Sequence, residues 1–217
     1  HWLSLATSTS LHLKHEQTQF TGSFKERGAR NALLELSAEE RKRGVMAASA
    51  GNHALALSWH GQQLGIPVTV AMPTVAPMAK VEKCRKFGAN IVITGANIGE
   101  AKNHLLSSDE YDGIRYINGY DDVEIVAGAG SMGIEIVEQV PNVEVVVVPV
   151  GGAGLIAGVA LAVKTMMPNV RVIGVEPYRC RSYTDALEAG RPVQAHTTFT
   201  LADGLAVPTV GPHAFEV

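Results

Sequence analysis

At 217 residues the chain is long enough for one large domain or two small lobes, with a core that needs no cross-links. Hydrophobic residues make up 46% and charged residues 18%, as in an ordinary water-soluble α/β protein, and the formal charge is −3 with a pI near 6.3. That balance gives no footing for nucleic acid or an anionic membrane surface and favours small-molecule chemistry.

The first predicted element follows Ser23, where Glu26 stands three residues on as in a capping box. Apolar residues then fall at Ala29, Ala32, Leu33 and Leu36, the spacing of an amphipathic helix. Lys25 therefore belongs to a helix start. Val45 to Ala48 reads as a short buried strand, and the polar turn Ser49-Ala50-Gly51-Asn52 leads into a helix through Ala54, Leu57, Trp59 and Leu64. Val68 to Met72 is the next strand. Pro77 suits a first helical residue and Gly88 a stop for the helix Met78 to Phe87. Strand Ile91 to Thr94, helix Gly99 to Leu106, strand Arg115 to Asn118 and helix Ser131 to Gln139 follow. Val143 to Val150, Leu155 to Thr165 and Val170 to Glu176 then give strand, helix, strand.

This alternation predicts parallel sheet covered on both faces by crossover helices, with ligands bound outside the carboxyl ends of the strands. The uncharged run Val145 to Val163 approaches the length of a membrane span, but Pro149 and Gly151-Gly152 divide it into strand, tight loop and helix, so no span is expected. Cys84 and Cys180 are far apart and outside any C-x-x-C pattern, which argues against zinc or a disulfide framework and for reduced thiols in a cytoplasmic setting. The opening His1-Trp2-Leu3-Ser4 has no basic segment leading into an apolar one, so no secretory signal is expected.

Three blocks carry chemistry. Thr21-Gly22-Ser23-Phe24-Lys25 places a lysine at a helix N-terminus, where the positive dipole end and partial burial lower its pKa and fit it for imine formation with a carbonyl compound. Phe24 can pack against that site or serve as ordinary core. Ser49, Gly51 and Asn52 can present hydroxyl, amide and backbone donors to a carboxylate, or simply cap the helix that follows. Gly151-Gly152-Ala153-Gly154 leaves a strand and opens a helix, so its N–H groups can converge on a phosphate, although it lacks the P-loop pattern. His53 has no spacing that distinguishes it from a structural histidine, and His12-x-x-His15 has no further metal-ligand pattern. Asp203-Gly204 reads as a turn.

In order and context these blocks resemble the fold-type II pyridoxal phosphate (PLP) enzymes, and within them the serine/threonine dehydratase and serine racemase group, from about Leu13 to Val207. The resemblance implies a two-lobed, tryptophan synthase β-like α/β architecture. Residues 1–43 and 122–217 would form a large cofactor-binding lobe, with 44–121 as a smaller lobe carrying the substrate loop. It implies that Lys25 forms the imine with PLP and later removes the substrate Cα proton, and that Phe24 packs near the ring. Asn52 would meet the pyridoxal hydroxyl, and Gly151, Gly152, Ala153, Gly154 and Leu155 would hold the phosphate, with Gly204 beside the cofactor. Ser49, Gly51, Asn52 and His53 would surround the substrate carboxylate.

The implied reaction is β-elimination, the dehydration and deamination of L-threonine or L-serine to a 2-oxo acid and ammonia, with the cofactor as electron sink. Racemases of the group have serine at the position of Ala50, and alanine carries no proton to return to the opposite face. Family members run on past Val217, so the chain is expected to be C-terminally truncated. A non-catalytic PLP-binding isoform is therefore an alternative, as is a racemase or hydroxyaspartate dehydratase. The family's divalent-metal site is poorly matched, because only Glu176 carries over, and no metal is expected. Relatives are commonly dimers, which makes a homodimer the expected assembly.

Overall fold

The computed structural model describes residues 2–217; His1, with which the expected large lobe begins, lies outside the described residues. Four parallel strands form the first sheet: β1 (Val45–Ala48), β2 (Val68–Met72), β3 (Asn90–Ile93) and β4 (Arg115–Tyr116), in the order β3-β2-β1-β4. The register sets Val45 against both Val68 and Arg115. Alternation along β1 shows how this sheet is sandwiched. Val45 and Ala47 enter one core with Val68, Val70 and Met72 of β2, whereas Met46 and Ala48 face the other way into a smaller core with Ala71.

Helices α2 (Lys25–Leu34), α4 (Asn52–Leu64) and α5 (Met78–Lys86) fill the first core, and α6 (Ile98–Ser107) supplies Ala101 and Leu105 to the second. The short α1 (Trp2–Thr7) precedes them, and α3 (Ala38–Arg43) leads into β1. Helix α3 carries the capping box. Ser37 Oγ accepts the Glu40 N–H at 3.2 Å and Glu40 returns the bond to Ser37 N–H. The box expected at Ser23 and Glu26 is absent. Ser23 Oγ meets the N–H of Lys25 at 3.3 Å, and Glu26 instead accepts from the backbone and hydroxyl of Thr21. Pro77 likewise stands one place before α5, as its N-cap in extended conformation.

Helix α7 (Val123–Gln139) begins two turns earlier than the sequence pattern indicates. Its glycines look like breakers but are contact points. A methyl on Gly128 would lie 2.6 Å from Arg27 O on α2, and one on Gly133 would lie 2.8 Å from Val159 O on α8 (Gly154–Met166). These glycines let the helix backbones approach closely.

The second sheet is a parallel pair, β5 (Val145–Pro149) and β6 (Arg171–Val175). Val146 and Val148 point into a core shared with α7, α8, α9 (Ser182–Ala189) and α10 (Pro212–Glu216). The opposite face is open: Val147 is 62% and Val175 51% exposed. Among the described residues, helices thus cover both faces of the first sheet and one face of the second, where α9 and α10 join the core that α8 already covers. Among the described residues no helix is long and apolar enough to cross a membrane.

Candidate active site

Lys25 opens α2 and is half-buried. Its Nζ donates to the carbonyl of Gly119 and stands 5.2 Å from the centre of the Phe24 ring. Burial lowers its pKa from 10.5 to about 8, so a usable fraction is free amine near neutral pH. Phe24, Lys25 and Gly28 of this segment line one small cleft, about 10 Å³ in volume, with Gly119, Ile125, Ala129, Gly154 and Leu155. The lysine and the glycine-rich turn, more than a hundred positions apart in sequence, are therefore neighbours.

The glycine-rich turn leaves β5 through Val150. Ala153, at φ +74°, adopts the left-handed conformation rare for a residue with a side chain, and it is the N-cap of α8. No side chain caps α8, so its first N–H groups are available to an anion at the positive end of the dipole. Tyr120 is packed so tightly here that a methyl on Gly152 would meet its ring at 2.3 Å and one on Gly154 its carbonyl oxygen at 2.2 Å. Gly204 is exposed. Its carbonyl lies beside Gly151, 3.4 Å from where a methyl would stand on that residue.

The polar turn follows β1. Ser49 Oγ accepts the Gly51 N–H at 3.2 Å, and Gly51, not Ser49 or Asn52, is the N-cap of α4. Asn52 stands exposed on the first helical turn, and Ser49, Gly51 and Asn52 lie outside the lining of the lysine cleft. His53 provides the connection. It is buried, its Nε2 donates to Ile117 O at 3.1 Å, and its ring lies against Gly119. Burial first, and then the charge of Lys25, press its pKa to about 4, so the imidazole is neutral.

Sequence reasoning passed over Ile117, Gly119 and Tyr120, which contact all three blocks. They follow β4 at its carboxyl end, the location where ligand sites of parallel sheets form, and that position was the available signal. Glu176 is fully engaged elsewhere: its carboxylate accepts the N–H groups of Tyr183 at 3.0 Å and Thr184 at 2.7 Å, closing the start of α9.

A partly desolvated lysine beside an uncapped helix start defines a class of site, one that captures a small carbonyl compound bearing an anionic group. The residues fit pyridoxal phosphate on both counts, and the whole described chain, residues 2–217, matches the family of pyridoxal-phosphate dependent enzymes, to which it belongs. It is 46% identical over 215 residues to the L-threonine ammonia-lyase of Thermotoga maritima, covering 99% of this chain and 54% of that protein. The processed form of threonine deaminase isoform 2 from Solanum lycopersicum superposes with a TM-score of 0.94 at 41% identity, over 99% of this chain and 63% of that one. Maize serine racemase gives the same TM-score at 32% identity, over 99% and 65%. The chain spans about half the length of the Thermotoga relative.

Proposed function

We propose that this chain carries the core of a PLP-dependent ammonia-lyase that dehydrates and deaminates L-threonine, and L-serine as a second substrate, to a 2-oxo acid and ammonia. The observation that carries the reading is Lys25, lowered to about 8, sharing a cleft with Gly154 and Leu155 at the start of α8. The names of the Thermotoga and tomato relatives support threonine.

When bound, pyridoxal phosphate supplies an electron sink for the charge that develops at the substrate Cα. Gly151, Gly152, Ala153, Gly154 and Leu155 would hold its phosphate, Phe24 would pack near its ring, Asn52 would meet its hydroxyl, and Gly204 would lie beside it. Ser49, Gly51, Asn52 and His53 would surround the substrate carboxylate. Lys25 would hold the cofactor and, as a free amine, would take the Cα proton at Nζ; a base near 8 is matched to that task close to neutral pH. With a proton gained, the β-hydroxyl would leave as water, and hydrolysis of the resulting enamine would release ammonia and the 2-oxo acid.

Residues 1–43 with 122–217 and residues 44–121 are read as the two lobes; each has its own sheet, and α2 of the first packs into the core of the second. The buried free thiols of Cys84 and Cys180 support a reducing, cytoplasmic compartment. An exposed apolar groove lined by Val123, Ile134, Leu161 and Met166 supports a homodimer.

The likeness to maize serine racemase favours racemisation as the second reading, and Ala50, which offers no acid–base group, weighs against it. The test is the visible spectrum of the chain with PLP, before and after L-threonine, beside Lys25→Ala. A band that the variant lacks, and that threonine converts with release of 2-oxobutanoate, is the expected result. A Lys25-dependent band unchanged by threonine and serine would mark a binding protein without turnover, and D-serine formed from L-serine would mark a racemase.

A further inference from the structure

Helix α4 turns two histidines toward α2, His53 at its first turn and His60 seven residues on along the same face. His60 Nε2 lies 3.4 Å from Glu26, the neighbour of Lys25. His53 faces the lysine's own partner. A carbonyl is the only acceptor for its Nε2, so that nitrogen carries the proton, and Nδ1 is left as a buried lone pair without a donor. The imidazole lies so close to Gly119 that a methyl there would come within 2.6 Å of His53 Cγ and 2.8 Å of Cδ2. Gly119 O in turn receives the Lys25 ammonium, and the next residue, Tyr120, packs against Gly152 and Gly154.

We propose that His53 is a positioning residue for Lys25, fixing the Ile117–Tyr120 segment so that the Gly119 carbonyl holds the lysine at the cleft and Tyr120 holds the glycine turn. Its catalytic consequence rests on the ammonia-lyase reading. The geometry does not.

Three variants separate the contacts. His53→Leu fills the space without an N–H, His53→Gln places an amide N–H where Nε2 stood, and Gly119→Ala drives a methyl into the ring. The first readout needs no cofactor: acylation of Lys25 by acetic anhydride, located by mass spectrometry and normalised to exposed Lys42, with buried Cys84 followed by a thiol reagent as the sign of an intact fold. Lys25 is expected to be about fivefold more reactive in His53→Leu and Gly119→Ala, the effect of losing one hydrogen bond of ordinary net strength, and within about twofold of wild type in His53→Gln. The second readout is labelling of Lys25 by PLP and borohydride, expected to fall in Leu and Ala and return in Gln.

Wild-type reactivity in His53→Leu with Cys84 still protected, or no recovery in His53→Gln, overturns the positioning role. Where His53→Leu exposes Cys84, His53→Asn, too short to reach Ile117, takes its place under the same criteria. No PLP label on Lys25 in the wild-type chain would defeat the ammonia-lyase reading, and the acylation comparison would still decide the role of His53.

Discussion

Arg27 grips Glu135 with two parallel hydrogen bonds, Nη1 to Oε1 at 2.7 Å and Nη2 to Oε2 at 2.8 Å. The same guanidinium reaches Glu16 through Nε and Nη2, each at 2.8 Å. One side chain, two positions after Lys25, thus ties α2 to α7 and to the segment before α2. Arg27→Ala is expected to cost about 3 kcal/mol, and Arg27→Lys most of that, because an ammonium cannot reproduce the planar fork. Urea unfolding midpoints measure both.

The same pair predicts an acid response. Hydrogen bonds from Arg27, acting against burial, hold the Glu135 carboxyl down at about 2, below the ordinary 4.5. A depressed acid stabilises the fold above its unfolded value and loses that contribution as pH falls toward the folded one. Between pH 4.5 and 2 the wild-type chain should therefore lose stability more steeply than Glu135→Gln; equal slopes would contradict this.

Lys25 predicts the opposite limb. Its folded pKa near 8 lies below the ordinary 10.5, so the unfolded chain binds more protons between those values and stability rises with pH across that window. Lys25→Met, which has no ammonium to desolvate, should be more stable than wild type at pH 7, by up to about 3 kcal/mol. The advantage should shrink between pH 8 and 10.5. Thermal unfolding of both proteins across that range is the measurement.

Glu26 accepts the backbone N–H and the hydroxyl of buried Thr21. Glu26→Ala strands both donors and should cost about 2–3 kcal/mol, whereas Glu26→Gln keeps an acceptor oxygen and should recover much of it. Denaturant titration of the three proteins tests the order.

Gly154 is among the least replaceable glycines, since a methyl would meet backbone, Tyr120 O, at 2.2 Å, as one on Gly158 would meet Val126 O. Gly154→Ala should destabilise by about 3 kcal/mol. Gly152→Ala, which meets a side-chain ring, should cost less, and Gly204→Ala, with open space around it, should leave the unfolding midpoint within about 0.5 kcal/mol of wild type.

Local patterns carried most of the fold. The boundaries of β1 and β2 coincide with their apolar runs, because each strand is bracketed by polar or turn residues at both ends. From sequence alone α7 reads short, because a glycine there looks like flexibility and only a partner helix shows that it is a contact. The places of Lys25 at the start of α2 and of the glycine turn before α8 are legible because both patterns are local. The part played by Gly119 is not, since it consists of His53 on one side and Lys25 on the other, brought there by different helices. The capping box shows the same limit. Ser23 and Ser37 each have glutamate three places on, and what separates them is that Thr21 competes for Glu26.

The open face of β5 and β6 has a practical meaning for the chain in solution. Val145, Val147 and Val175 are exposed, and among the described residues neither strand has a second neighbour. Unpaired edges beside bare β-branched side chains are the template on which chains stack into fibres. In these 217 residues taken alone, a charge placed at Val147 is therefore expected to slow such stacking where a better-packed core would not.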